Sequence, residues 1–505
     1  MSNPRIELLK RDAEQSILKP FRSHGWEARF ADEHDYHSSI EIEATKKGRS
    51  VRIGLVYSTA TDNAHYRFLA GSCERIFFHG SNYELQRYTH GVEIPIEPMG
   101  DFFPYLVGLN RALDPSQPTH LKLLSKGSVQ RITDENPSEA VRIRLQQLTS
   151  ETLAKKLILK RANADGISLS DIAANKKAEG VAFAMRNALD YFAGAATDKL
   201  NRRILSLYYG ALAFAFAEMM AAPSGASDLD EVEGMTKQGH GLYTLSGEQR
   251  GFADLRVGVL ATGFLPRWIA SFGYDTSDFP RQKPKNLGDL EKNPEEMQCR
   301  LSQLFASMPE IDGLYGEVFD EAPRWLIPVY SFSDNQKPLL NKTKEVSGST
   351  YIRFFDYSGR LTKEQVELAG WPIAEIRMLS REELESEPPM GQAFQVRVDH
   401  DGIETWWGAL PIHTSPYRHR ITLLLPTLGR IREYRVVAVA TLYALSILVR
   451  YLPSIWRRVE GGEDDQYLAL VSAALSVWER LLPQQFLESI TNEHIHTAQP
   501  GSWMS

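Results

Sequence analysis

Cysteine is almost missing from this sequence: Cys73 and Cys299 are the two in 505 residues. That excludes a disulfide framework and any all-cysteine zinc site, and two reduced thiols suit a cytoplasmic protein. Charge of one sign is missing too. Fifty-seven Lys and Arg stand against 64 Asp and Glu, a formal net charge of −7, so no bulk cationic field marks the chain for nucleic acid or an anionic membrane. A local basic patch remains compatible with that balance. Long apolar runs are likewise absent. The most hydrophobic stretch, residues 436–449, has 14 residues, short of the roughly 20 that span a bilayer. It reads as a helix buried in protein, with no membrane partner. The first 25 residues carry charge throughout and lack the apolar stretch of a secretory signal, so a cytoplasmic location is expected. Also absent are a Gly-x-x-x-x-Gly-Lys loop, a dinucleotide glycine fingerprint, a Gly-x-Ser-x-Gly elbow and a paired-cysteine motif. P-loop ATP hydrolysis, nicotinamide redox chemistry and elbow-type hydrolysis therefore have no support.

What is present is globular. Hydrophobic residues make up 43% and charged residues 24%, and the length exceeds what one core sustains, so two or three domains are expected. The fold class expected is α+β and multi-domain: a small N-terminal α/β domain, then a mainly helical body with a β-rich insertion. Ile6, Leu9, Ala13, Ile17 and Phe21 recur at helical spacing. Ile40 to Glu43 and Val51 to Leu55 alternate around the polar turn Lys46-Lys47-Gly48-Arg49, which predicts a hairpin. Strands over 75–78 and 92–96 and a returning helix over 102–113 complete a domain of residues 1–118, ending at the proline-containing stretch 114–118. Residues 119–165 read as a connecting helical region. The body spans 166–505. Ser168 or Ser170 caps a helix from Asp171, a second helix carries Met185, Leu189 and Phe192, and a third shows the stripe Leu205, Tyr209, Leu212, Phe216 and Met219. Residues 228–233 read as an acidic loop. Residues 274–300 and 333–350 read as exposed connections, a β-rich insertion is expected at about 320–410, and Leu468, Val471, Leu475, Trp478 and Leu482 mark a last helix.

Three stretches together resemble the YaaC-like family of bacterial proteins, a group without an established biochemical activity. They are Ala184-Met185-Arg186-Asn187-Ala188-Leu189-Asp190-Tyr191-Phe192; Leu205-Ser206-Leu207-Tyr208-Tyr209-Gly210-Ala211-Leu212 with the later Gly239-His240-Gly241-Leu242; and the leucine-rich helix from Leu442 running into Arg450-Tyr451-Leu452-Pro453 and Trp456. The resemblance spans residues 180–490 and leaves 1–165 outside. It implies a family pocket built from Arg186, Asn187, Tyr208 and Tyr209. The paired tyrosines followed by His-Gly also resemble helical nucleotide-binding domains of the HEPN type, many of which are metal-independent RNases. There an Arg and a His about four to six residues apart act on RNA, the His helping to activate the 2′-hydroxyl. Here Lys237 precedes His240 by three residues and no Arg holds the required offset.

Several constellations carry candidate chemistry, each with a plainer alternative. His240 lies between Gly239 and Gly241, open to a ligand in a cleft or simply at a chain reversal. Arg186 and Asp190, spaced for a helix-surface ion pair, admit a second arrangement in which Arg186 and His240 face one pocket. Glu41 and Glu43 share one face of a strand, where adjacent carboxylates suit a cation. With Asp32 and Asp35 upstream and Lys46 downstream they faintly resemble restriction-endonuclease-like nucleases, although Glu43 stands where Lys is usual. The metal ligands of that reading are Asp35, Glu41 and Glu43, its cofactor is Mg²⁺, and its catalytic set adds Lys46. His34 and His37 add further metal-binding groups. The same face also suits a solvated hairpin. Trp371, Trp406 and Trp407 are either core or stacking anchors. Arg418, His419, Arg420, Arg430, Arg432 and Arg435 form the densest basic stretch and the best candidate for phosphate contacts, or else a set of surface ion pairs.

The leading expectation is a bacterial cytosolic binding or scaffolding subunit of a multi-protein system, associated with nucleic acid and set in phage defence. Its partner would be another protein, a second copy, DNA or RNA, and no cofactor is assigned to it, Mg²⁺ belonging to the nuclease alternative. The rival is an enzyme, a metal-dependent nuclease at Asp35, Glu41, Glu43 and Lys46 or an RNase at His240.

Overall fold

The computed structural model describes residues 3–499 apart from 24, 81–83, 100–101, 103–104, 107–108, 110–128, 247–250, 278, 291–297, 331–347, 385–390, 401–404, 419 and 429–430. The expected domain boundary at 114–118, the first part of the 119–165 connection, most of the exposed connection 333–350, His419 and Arg430 lie outside the described residues. The chain is an α+β, multi-domain protein, about half helix and a fifth strand.

Helix α1 (Pro4–Ala13) starts where Asn3 accepts a hydrogen bond from the Arg5 amide and Pro4 pre-sets the first turn. It runs on through a π turn at Glu14–Leu18 to Ser23, burying Ile6, Leu9, Ala13, Ile17 and Phe21. Five strands follow in spatial order: β1 (Glu27–His34), β2 (Ser39–Lys46), β3 (Arg49–Val56), β4 (Arg75–Phe78) and β5 (Ile96–Pro98). The first three are antiparallel. Lys47 and Gly48 both take positive φ, +48° and +80°, the two-residue turn whose twist matches that of its strands. Helix α2 (Asn63–Ser72), capped by Asp62, carries the chain over to β4, which pairs parallel with β3. Alternation then divides the sheet. Ile40, Ile42, Ala44, Val51, Ile53 and Leu55 join the α1 face, while Val56, Ile76 and Phe78 meet Tyr66 and Leu69 of α2.

The body begins with β6 (Val129–Thr133), α3 (Pro137–Gln147) and α4 (Glu151–Ala164). One unbroken 25-residue helix, α5 (Asp171–Ala195), then replaces the two helices expected there, because Ser170 caps it and nothing before Ala195 breaks the ladder. It doubles back on α6 (Leu200–Ala221). The two approach closely at Gly210, where a Cβ would lie 2.7 Å from the Phe192 ring. The expected acidic loop is a helix, α7 (Leu229–Lys237): Asp228 accepts from the Glu231 amide, and Asp230 and Glu231 sit in the first turn, where acids complement the helix dipole. Strand β7 (Leu242–Leu245), β8 (Arg256–Val259), α8 (Phe264–Ser271) and β9 (Gln298–Arg300) come next, the strands forming one antiparallel sheet.

A six-stranded antiparallel sheet is assembled from β10 (Trp325–Tyr330), β11 (Ser349–Asp356), β12 (Ile373–Met378), β13 (Gln392–Asp399), β14 (Ile412–His413) and β15 (Thr422–Leu424), in the order β12-β13-β11-β10-β15-β14. It runs past residue 410 because β15 pairs with β10. Trp371 and Trp406 are in its core, and Trp407 is exposed. The chain ends with α9 (Tyr434–Tyr451), α10 (Pro453–Gly461), α11 (Gln466–Thr491) and β16 (His494–Ala498), which pairs parallel with β6 and closes the body on its own beginning. Helices α6 and α9 are long and apolar enough to cross a membrane by length and composition, yet 78% and 72% of their apolar windows are buried inside the protein.

Candidate functional site

The separated stretches of the body meet around His240. The loop after α7 turns with Gly239 at φ +101° and Gly241 at +75°. Its carbonyls take the first amides of α8: Phe264 donates to Gly239 O at 3.1 Å and Leu265 to His240 O at 3.1 Å. A Cβ on Gly241 would come within 2.4 Å of Pro266 Cδ, so only glycine lets the loop close on that helix. The closure fixes His240 edge-on to Tyr208 of α6, ring centres 5.7 Å apart, and 6.3 Å from Tyr443 of α9. Tyr208 and Tyr443 are 5.9 Å apart. Tyr443 donates to Leu242 O at 3.1 Å, joining α9 to β7. Two turns further on, Arg450 is braced on Ser446, Nε to O and Nη2 to Oγ both at 3.1 Å, with its guanidinium 5.0 Å from the Tyr451 ring centre.

The electrostatics follow from burial. It lowers the His240 imidazole pKa, the Arg450 charge lowers it further, and the ring is therefore neutral near pH 7. Burial pushes the Tyr208 phenol far above its ordinary value. Tyr208 Oη and His240 Nδ1 are buried without a hydrogen-bond partner. Beyond Tyr443 opens a cleft of about 340 Å³ between β7 and α9, lined among others by Thr244, Ser246, Lys283, Ile447 and Tyr451. With the Tyr443 and Tyr451 rings and Lys283 in its lining, the cleft can receive a flat ring and an anionic group, while His240 packs near Tyr443 outside that lining.

Of the expected pocket residues, Tyr208 is central and Tyr209 lies next to it with its ring tilted by 53°, ring centres 5.3 Å apart. Arg186 is exposed and donates to Thr149 O at 3.3 Å rather than meeting Asp190 or His240, and its neighbour Asn187 is half-buried. Lys237 pairs with Glu233 at 3.5 Å. The cation whose charge acts on His240 is Arg450, more than 200 residues away in sequence. Tyr443 and Arg450 lie in the third family stretch, which the sequence marks as a leucine-rich helix without a site role for either, and Lys283 lies in a stretch that reads as a loop. Trp456 does structural service, its indole donating to Asn201 Oδ1 at 2.9 Å.

The N-terminal acids are arranged otherwise. Glu41 is buried under α2 with both oxygens engaged: His34 Nε2 lies 2.9 Å from Oε1, and Arg52 Nε 2.6 Å and Ser72 Oγ 3.2 Å from Oε2. Burial alone would raise its pKa, but the His34 hydrogen bond and the Arg52 charge outweigh that and hold it below the ordinary value. Glu43 pairs with Arg29 at 2.9 Å, and Asp32 with Arg52. Lys46 projects from the opposite face of β2, its ammonium 6.0 Å from the Trp26 ring centre, and burial lowers its pKa. Asp35 is exposed in the turn before β2. Among the described residues no group of three or more His, Cys, Asp or Glu side chains is placed to hold a metal ion. Asp35, Glu41 and Glu43 do not converge on one site: Glu41 and Glu43 are committed to separate cations, and Asp35 is exposed. A residue unremarked in the sequence, His65 on α2, lies 2.6 Å from Ser39 Oγ and stacks on His37 at 3.9 Å, its pKa lowered to about 4 by burial and by the neighbouring His37 and His34.

The basic stretch is mostly spent on the protein itself. Arg435 is buried in an ion pair with Glu218 of α6, pairs with Glu433 at 3.2 Å, and lies over the Phe272 and Phe486 rings. Arg418 meets Asp312 at 3.1 Å and the Trp325 ring. Arg432 donates to Gly370 O at 2.9 Å, and Arg420, still exposed, to Tyr357 Oη at 2.8 Å. These four side chains are held by separate partners.

A family model described as YaaC-like protein matches residues 146–490, starting 20 residues before the body boundary expected at 166. No curated protein and no solved structure matches the chain. The matched segment is about two thirds of the 505 residues and contains every element that meets at His240, so the chain belongs to the YaaC-like family.

Proposed function

We propose that this protein is a binding subunit that engages nucleic acid through its YaaC-like body, at the cleft between β7 and α9, and works with protein partners. The observation that carries the reading is the lining of that cleft: the Tyr443 and Tyr451 rings, the exposed Lys283 and, against the Tyr451 ring, the Arg450 guanidinium. Aromatic rings with nearby cations stack bases and attract phosphate. Against a metal-dependent nuclease in the N-terminal domain stand the occupied oxygens of Glu41 and the position of Lys46 on the far face of β2.

The test is a mobility shift with single-stranded RNA and DNA, run beside a cleavage panel with and without Mg²⁺ or Mn²⁺. Binding is expected, weakened at least tenfold by Arg450→Ala, with no metal-dependent cutting. Metal-dependent cutting abolished by Glu41→Gln would overturn the reading. One observation favours a second possibility, the RNase: the Arg450 charge acts on His240 and lowers its pKa, so a cation missing from the sequence neighbourhood of His240 acts on it through the fold. RNA cutting in EDTA that is lost in His240→Ala and kept in Glu41→Gln would establish it.

A further inference from the structure

The cleft between β7 and α9 is small and has two chemically different ends. Its volume, about 340 Å³, falls at the lower end of pockets that hold small ligands, roughly 300–1,000 Å³. One planar unit fits at a time. At the α9 end stands Tyr451, 65% exposed. The Arg450 guanidinium covers this ring from one side, and a flat ligand ring can stack on the other. Tyr443 and Ile447, on the same helix, continue the apolar wall. Thr244 of β7 and Ser246 just after it also line the cleft, and so does Lys283, an exposed side chain for which no ion pair exists among the described residues. A ring platform, hydroxyls and an uncommitted cation within one cleft are the complement of a base, a sugar and a phosphate.

We propose that this cleft binds a single nucleotide unit, its base on Tyr451 and its phosphate at Lys283. The proposal rests on the binding reading above and specifies its ligand. The same chemistry has two sources, a free mononucleotide and the 5′-phosphorylated end of a strand, and both enter the experiment.

Calorimetric titration of the full chain would compare adenosine 5′-monophosphate with adenosine, which lacks the phosphate, and with ribose 5-phosphate, which lacks the base. A 5′-phosphorylated RNA hexamer would be compared with its 5′-hydroxyl form. Adenosine monophosphate or the phosphorylated hexamer should bind at least tenfold more tightly than its truncated counterparts, and whichever binds more tightly identifies the source. Lys283→Glu should erase the preference for phosphate and Tyr451→Ala the preference for the base. Both side chains are exposed, so the thermal midpoint should stay unchanged. Equal binding of all probes, preferences unaltered in both variants, or no binding of either phosphorylated probe would overturn the proposal. If RNA is still shifted in an Arg450-dependent way while phosphorylated and dephosphorylated probes bind alike, the nucleotide assignment fails and the binding reading stands.

Discussion

His65 shows how burial decides what a side chain can do. It is 5% exposed on α2, shares a hydrogen bond with Ser39 and is stacked on His37, so its protonated form is disfavoured and its pKa falls from 6.5 to about 4. Between those two values the unfolded chain holds a proton that the folded one does not. Stability contributed by neutral His65 is therefore complete above pH 6.5 and drains away as pH falls toward 4, an amount on the order of 3 kcal/mol. Urea unfolding followed at pH 7 and at pH 4.5 should show this loss in the wild type and a smaller one in His65→Gln. An equal acid loss in both proteins would show that His65 is not its source. Glu41 adds to the trend, since a depressed carboxylate stabilises above its unfolded value and loses that contribution in acid.

Among the elements, α6 and α9 cross through the Arg435–Glu218 pair, which Trp268 reinforces by donating to Glu218 Oε2 at 2.9 Å. Read along the chain, Arg435 belongs to a basic run; in the body it is 6% exposed and clamped between two rings. Removing one partner of a buried pair leaves the other charge unpaired, at a cost of about 3–5 kcal/mol. Arg435→Ala should lower stability to urea by that order, and Arg420→Ala, on the surface, by less than about 0.5 kcal/mol. A comparable loss in both variants would mean that the basic run acts as one surface. The helices themselves were legible in sequence because apolar residues recur every three to four positions. Their contacts were not, because periodicity says which face is buried and nothing about what covers it.

On the scale of the whole molecule, the main cores of the N-terminal unit and of the body share no residue. Ile6 to Leu109 build one around the N-terminal sheet, and Ile132 to Ile495 build the main core of the body. The ion pair Lys19–Asp228, 3.5 Å, bridges them. Calorimetry should resolve two transitions, with His65→Gln moving one and Arg435→Ala the other. A single transition displaced by both would show that the two units unfold together.

By itself the sequence determined the chemistry of the parts: no disulfides, an N-terminal hairpin whose turn needs Lys47 and Gly48, capped helices, an apolar α9 and the three stretches that mark the family. These are local properties, written in neighbouring residues. Only the tertiary structure decided which charges are free and which are spent. It brings the charge of Arg450, not Arg186, to bear on His240, gives Arg435 to Glu218, and closes Glu41 between His34 and Arg52. The reason is physical: an ion pair or a pocket depends on distances between residues far apart in the chain, and composition and spacing carry no record of those distances.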